Sequence, residues 1–90
     1  MNEDKIIEDA LATLTAENKT PETLRAEWGA ERKQWRENNP HRTYDVMYEY
    51  PVKVIGEFEF KYYTIRSIDI VARRKGDNNP WVCIYELSDI

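Results

Sequence analysis

Few residues of this chain have a type and spacing that could do chemistry. Cys83 is its one cysteine and His41 its one histidine. A thiolate nucleophile needs a neighbouring base and electropositive surroundings. His41 follows Asn38-Asn39-Pro40, a helix stop, whereas Cys83 lies in the apolar run Trp81-Val82-Cys83-Ile84-Tyr85. The expectation is a loop histidine and a buried cysteine acting as a small hydrophobe. One cysteine closes no internal disulfide, and a structural zinc site takes four Cys or His ligands. Glu57 and Glu59 fall on one side of a strand beside Lys61. Paired carboxylates work as acid and base only where a shielded pocket shifts one pKa, and a hairpin tip offers no shielding. The chain has no Walker loop, no dinucleotide fingerprint and no HExxH. The reading is a non-enzyme: no catalytic residue, no metal and no cofactor.

Binding chemistry is better represented. Arg73-Arg74-Lys75, with Lys61 and Arg66, form a basic group suited to phosphates. Three bases before a turn are also an ordinary way to keep a sheet edge soluble. Residues 1–31 hold eight acids and three bases. Glu8, Glu17, Glu22, Glu27 and Glu31 therefore make an acidic helical surface, which is either a face for a basic nucleic-acid-binding site on another protein or simply solvated. Tyr44, Tyr48, Tyr50, Phe58, Phe60 and Tyr62 occupy even positions. Such a row is either a stacking platform for single strands or the wall on which two helices pack, and the helices require a wall. Met47, Tyr63, Ile65 and Val71 occupy odd positions on the opposite face, where they are either a contiguous partner surface or scattered exposed residues.

The elements that must position these residues follow from periodicity. A helix is expected over about 3–18, with Ile7, Leu11 and Leu14 as its stripe, Ile6 and Ala10 widening it, and Glu3, Asp4, Glu8 and Asp9 in its first turns. A second is expected over about 21–38, from a Thr20 cap and Pro21 to Asn38-Asn39-Pro40, with Leu24, Trp28 and Trp35 near one face. Position 23 is Thr, so a strict capping box is not expected. Gly29 costs this helix ~1 kcal/mol relative to Ala, which suggests a close approach there. A short link makes the pair an antiparallel hairpin.

From Arg42 the period becomes two. Strands are expected at about 42–54, 57–63, 67–74 and 81–87. Pro51 places the first at an edge or on a bulge. If the apolar even positions of the first two strands are to meet, their loop must have an odd number of residues. Val54-Ile55-Gly56 fits, and Ile55-Gly56-Glu57 competes. The last strand is apolar on both parities, as if covered on both faces or central in the sheet.

Ninety residues at a formal charge of −4, with 41% hydrophobic and 12% aromatic content, exclude multidomain enzymes and disordered chains. No apolar run approaches the ~20 residues of a membrane helix, and the acidic start is unlike a targeting segment. The expected fold is a single α+β domain, an N-terminal antiparallel helical hairpin packed on a three- to four-stranded antiparallel β-meander. The expected function is that of a small acidic, cytoplasmic protein-binding module. It is of the kind that phages and mobile elements use to inhibit a host nucleic-acid enzyme or defence complex. The partner is a host protein or complex, reached through Glu8, Glu17, Glu22, Glu27, Glu31, Met47, Tyr63 and Ile65. The alternative is a nucleic-acid accessory protein using Lys61, Arg66, Arg73, Arg74 and Lys75. A homodimer through the helical hairpin is the third reading.

Overall fold

The computed structural model describes residues 3–40, 48–64, 67–76 and 78–88. Helix α1 spans Glu3–Ala16, with Glu3 and Asp4 in its first turn. It stops because Asn18 takes a left-handed φ of 59°. The amides of Asn18 and Lys19 then donate to the carbonyls of Thr15 and Leu14, each at 2.9 Å. That is a Schellman closure with Asn in the place usually taken by Gly.

Helix α2 spans Pro21–Asn38. The Thr20 hydroxyl accepts from the Thr23 amide at 3.2 Å, and the Thr20 amide donates to the Thr23 hydroxyl at 2.8 Å. The capping box excluded on residue type is therefore present. A threonine hydroxyl reaches the cap amide as Glu would, while Thr23 Oγ1 also donates to the Thr20 carbonyl. At the other end Asn39 donates its amide to Arg36 and its side chain to Trp35.

Four strands follow: β1 Lys53–Ile55, β2 Phe58–Tyr63, β3 Ser67–Arg74 and β4 Val82–Ser88. They form one antiparallel meander in the order β1-β2-β3-β4. Together with the helical hairpin this is the expected α+β fold. Both helices cover one face. Ala10, Leu14, Leu24 and Trp28 meet Phe58, Phe60, Ile70 and Ala72 in the core, with α1 lying on β3 and β4. The buried stripe of α1 is Ala10 and Leu14, with Ile6 packed against it, so Ile7 and Leu11 flank the stripe and do not centre it.

Three strand expectations are corrected. The long first strand is not formed over the described residues 48–52, and β1 has three residues. Positions 42–47 lie outside the described residues. The hairpin loop has two residues, Gly56 and Glu57, because Ile55 pairs with Phe58 and Lys53 with Phe60. Gly56 has φ 60° and Glu57 has a negative φ, the pattern of a type II′ turn with Gly first. Turn preference outweighs apolar alternation here. Ile55 and Lys53 face the helices, while Val52 and Val54 are 44% and 57% exposed. Lys53 is tolerated inward because α2 supplies carboxylates. Its Nζ lies 2.7 Å from Glu31 Oε2 and 3.5 Å from Glu27 Oε1.

The third correction concerns β4, which is an edge strand. Ile70 pairs with Tyr85 but Val71 with Cys83, so a bulge at Ile84 shifts the parity. Val82 faces the core, Cys83 points outward, and both Ile84 and Tyr85 pack on the core side. Apolar residues on both parities thus reflect the bulge and not burial on two faces. Cys83 is exposed, against expectation.

Gly29 is also not a point of close approach. A Cβ placed there meets nothing within 4 Å. Gly29→Ala should therefore stabilise the domain by ~0.5–1 kcal/mol through helix propensity alone. Thermal melts should show a midpoint several degrees higher; an unchanged or lower midpoint would mean that the added methyl meets a neighbour or that helix propensity does not limit stability at this position.

Candidate interaction surface

Antiparallel register decides which side chains share the sheet face turned away from the helices. Val54, Glu59 and Arg73 form one row across β1, β2 and β3. Lys61, Val71 and Cys83 form the next, and Tyr63, Asp69 and Glu86 the last. No helix or strand among the described residues covers this face. Tyr63 is 42% exposed.

Trp81, just before β4, gives the face its centre. The Arg73 guanidinium lies 4.4 Å and the Lys61 ammonium 4.9 Å from the Trp81 ring centroid. Lys61 also lies 5.7 Å from the Tyr63 ring. Arg73 Nε donates to Glu59 Oε1 at 2.6 Å. Cation–π contacts of this kind contribute ~0.5–1 kcal/mol at exposed sites. Trp81 falls in a run that reads as a strand covered on both faces, and its place beside Arg73 and Lys61 depends on contacts between segments that the pattern of residue types does not supply.

The other site residues read from the sequence are spread over the molecule. Successive strand residues point to opposite faces, so Arg74 turns to the helix side. There it lies 5.0 Å from the Phe58 ring and pairs with Asp9. Lys75 is exposed beyond β3. The basic group is thereby divided, with Arg73 and Lys61 on one face and Arg74 on the other. Glu8, Glu17 and Glu22 are exposed on the helices. Glu27 and Glu31 are instead tied into the fold, Glu27 by Lys19 and Lys53 and Glu31 by Lys53. Glu57 sits exposed in the hairpin turn and Glu59 is held by Arg73, so the two carboxylates are not convergent. His41, Met47, Ile65 and Arg66 lie outside the described residues.

No protein-family model, curated protein or solved structure matches the chain. Any functional reading therefore rests on geometry. The helix-side aromatics are structural. Trp28 and Tyr62 stack at 4.9 Å with planes 2° apart, and Tyr50 meets Tyr62 edge-on at 4.8 Å. Tyr48 continues the series to Trp35, and burial raises the Tyr48 pKa. Among the described residues no group of three or more His, Cys, Asp or Glu could hold a metal, and no helix is long and apolar enough to cross a membrane.

Two carboxylates record how the helices are held. Hydrogen bonds from Lys5 and then Arg74 lower the Asp9 pKa, and Lys19 and then Lys53 lower that of Glu27. A carboxyl whose folded pKa lies below its unfolded value adds stability that is present above the unfolded pKa and lost as pH falls through the folded one. Stability should therefore decline on acidification below about pH 4. In Asp9→Asn combined with Glu27→Gln that decline should be shallower in urea titrations at successive pH values. An equally steep decline would place the acid sensitivity in other groups.

Proposed function

We propose that this chain is a small non-catalytic module that binds another protein through the open face of its sheet. The carrying observation is that face itself, uncovered by any described element and centred on Trp81, Tyr63, Lys61 and Arg73. Trp, Tyr and Arg are the residue types that dominate binding energy in protein interfaces. The exposed acids of the helices, Glu8, Glu17 and Glu22, lie on the other side of the molecule. They suit steering toward a basic partner better than they suit an apolar contact.

A host nucleic-acid enzyme or defence complex is the partner class that small size and acidity suggest, and inhibition by occupancy is the corresponding mode of action. The nucleic-acid alternative is the weaker reading. Arg73 and Arg74 face opposite ways and each is bonded to a carboxylate, so the basic run does not converge on one strand of phosphates.

Affinity capture from host lysate with and without nuclease tests the proposal. A near-stoichiometric protein should survive nuclease and moderate salt, and Tyr63→Ala should weaken its retention at least tenfold. Recovery of nucleic acid, or loss of all captured protein on nuclease treatment, would reject it in favour of the basic residues.

A further inference from the structure

Lys61 differs from every other strand lysine or arginine whose side-chain contacts are known. Lys53 is bonded to Glu31, Arg73 to Glu59 and Arg74 to Asp9. No carboxylate among the described residues lies within ion-pair distance of Lys61, and its ammonium instead lies 4.9 Å from the Trp81 ring centroid and 5.7 Å from that of Tyr63. Aromatic faces stabilise a cation but accept none of its three N–H donors in the way an oxygen does. A carboxylate closing over the ammonium beside these rings would exclude water from it, and an ion pair is stronger where water is excluded.

We propose that Lys61, framed by Trp81 and Tyr63, receives a carboxylate from an acidic segment of the partner protein, with the two rings as the apolar contact beside it. The inference rests on the protein-binding reading above. Charge complementarity selects this occupant. Glu59 is neutralised by Arg73 next to Trp81, which leaves the Lys61 ammonium as the charge beside that ring with no described carboxylate in ion-pair distance. An acidic group is thus favoured at the Lys61–Trp81 end. A nucleic-acid strand would need several phosphate contacts, each adding about 0.9 to the salt slope. Among the described residues the face offers it Lys61 alone without a carboxylate in ion-pair distance, since Arg73 is held by Glu59.

The test is a displayed random-peptide selection on the immobilised full chain, followed by anisotropy titrations of the enriched peptides. They should share an Asp or Glu beside an apolar residue. Lys61→Glu, a surface change whose folding circular dichroism checks, should weaken binding at least tenfold. Replacing the shared acid of the peptide by Lys should restore binding to Lys61→Glu. Trp81→Ala should cost at least tenfold as well. Peptides without an acid, or affinities unmoved by Lys61→Glu, overturn the inference. If such peptides respond instead to Tyr63→Ala, the protein-binding reading stands and only the Lys61 site falls; if they respond to charge reversal at Glu8, Glu17 and Glu22, the chain binds protein by its helices and both the sheet face and this site fall. If no peptide is enriched, the inference is overturned. If in addition oligothymidylate binds, both readings fall. Concentration-dependent self-association lost in Lys61→Glu would replace the foreign partner with a second copy.

Discussion

Trp28→Ala should remove about 3–5 kcal/mol of folding free energy, a large share of the ~5–13 kcal/mol available to a domain of this length. The side chain is fully buried and joins α2 to two separate parts of the sheet layer. Its ring stacks on Tyr62 of β2, and its Nε1 donates to the Pro51 carbonyl at 2.8 Å, tying down the segment before β1. Lys53 lies 5.7 Å from the same ring, so the Lys53–Glu27–Glu31 group loses its support too. Trp28→Phe separates these contributions. It keeps an aromatic face for Tyr62 and loses the hydrogen bond, whose net worth is ~1 kcal/mol, together with some packing volume. The expected order in urea denaturation is wild type, then Phe, then Ala. The Ala variant should shift the midpoint by more than about 1 M, given slopes of ~1–3 kcal/mol per M. Equal losses for Phe and Ala would mean that the indole N–H, and not the stack, secures the segment. A loss below ~1 kcal/mol for Ala would mean that α2 is held mainly by Leu24.

The elements legible in the sequence were those set by local rules. Pro21 and Asn38 bound α2 as read from Thr20-Pro21 and Asn38-Asn39-Pro40, since caps act through neighbours a few residues apart. Ser67–Arg74 likewise matches its alternation of Ile68, Ile70 and Ala72. What the pattern misplaced depends on pairing between distant segments. Val52 and Val54 alternate with polar residues as an inward strand would, yet Lys53 can face inward because Glu27 and Glu31 arrive from α2. A periodicity argument over one segment has no access to that compensation. The bulge at Ile84 is invisible for the same reason. A run that is apolar on both parities is compatible with a buried strand or with a parity shift, and only the β3 partner distinguishes them.

The site was legible in part. The sequence marks Tyr63, Lys61 and Arg73 under different readings, one as a protein contact and two as phosphate ligands. Antiparallel register places them on one face together with Trp81. Arg73 and Arg74, adjacent in the chain, were grouped as a patch, although adjacency in a strand means opposite faces. That much the sequence pattern could have yielded. The position of Trp81 over β3 could not be inferred, because Trp81 precedes β4 and its ring reaches Lys61 of β2 without being its strand neighbour.

Gly56→Ala should cost about 2–5 kcal/mol although position 56 is exposed. A left-handed backbone costs an L-residue ~1–2 kcal/mol, and Gly56 has φ 60°. A Cβ there would also lie 2.9 Å from Thr13 Cγ2 of α1. That methyl cannot rotate aside freely, because Thr13 Oγ1 donates to the Asp9 carbonyl at 2.8 Å and so fixes the rotamer. Overpacking of this kind costs ~1–3 kcal/mol. Thr13→Ser removes the methyl and keeps the hydroxyl bond. In that background Gly56→Ala should cost only the backbone share, leaving a coupling of ~1–3 kcal/mol in a double-mutant cycle. Strict additivity would mean that α1 moves away without penalty. The cycle also probes register. A side chain at position 56 disfavours the two-residue turn, and the competing odd-length loop would turn Val52 and Val54 inward and Lys53 out. Loss of the Lys53–Glu31 contact by NMR in Gly56→Ala, with the strands still protected from exchange, would show that this glycine selects between two registers of the same hairpin. Retention of the contact in a uniformly weakened domain would show that the register is held by Lys53 and its carboxylates instead.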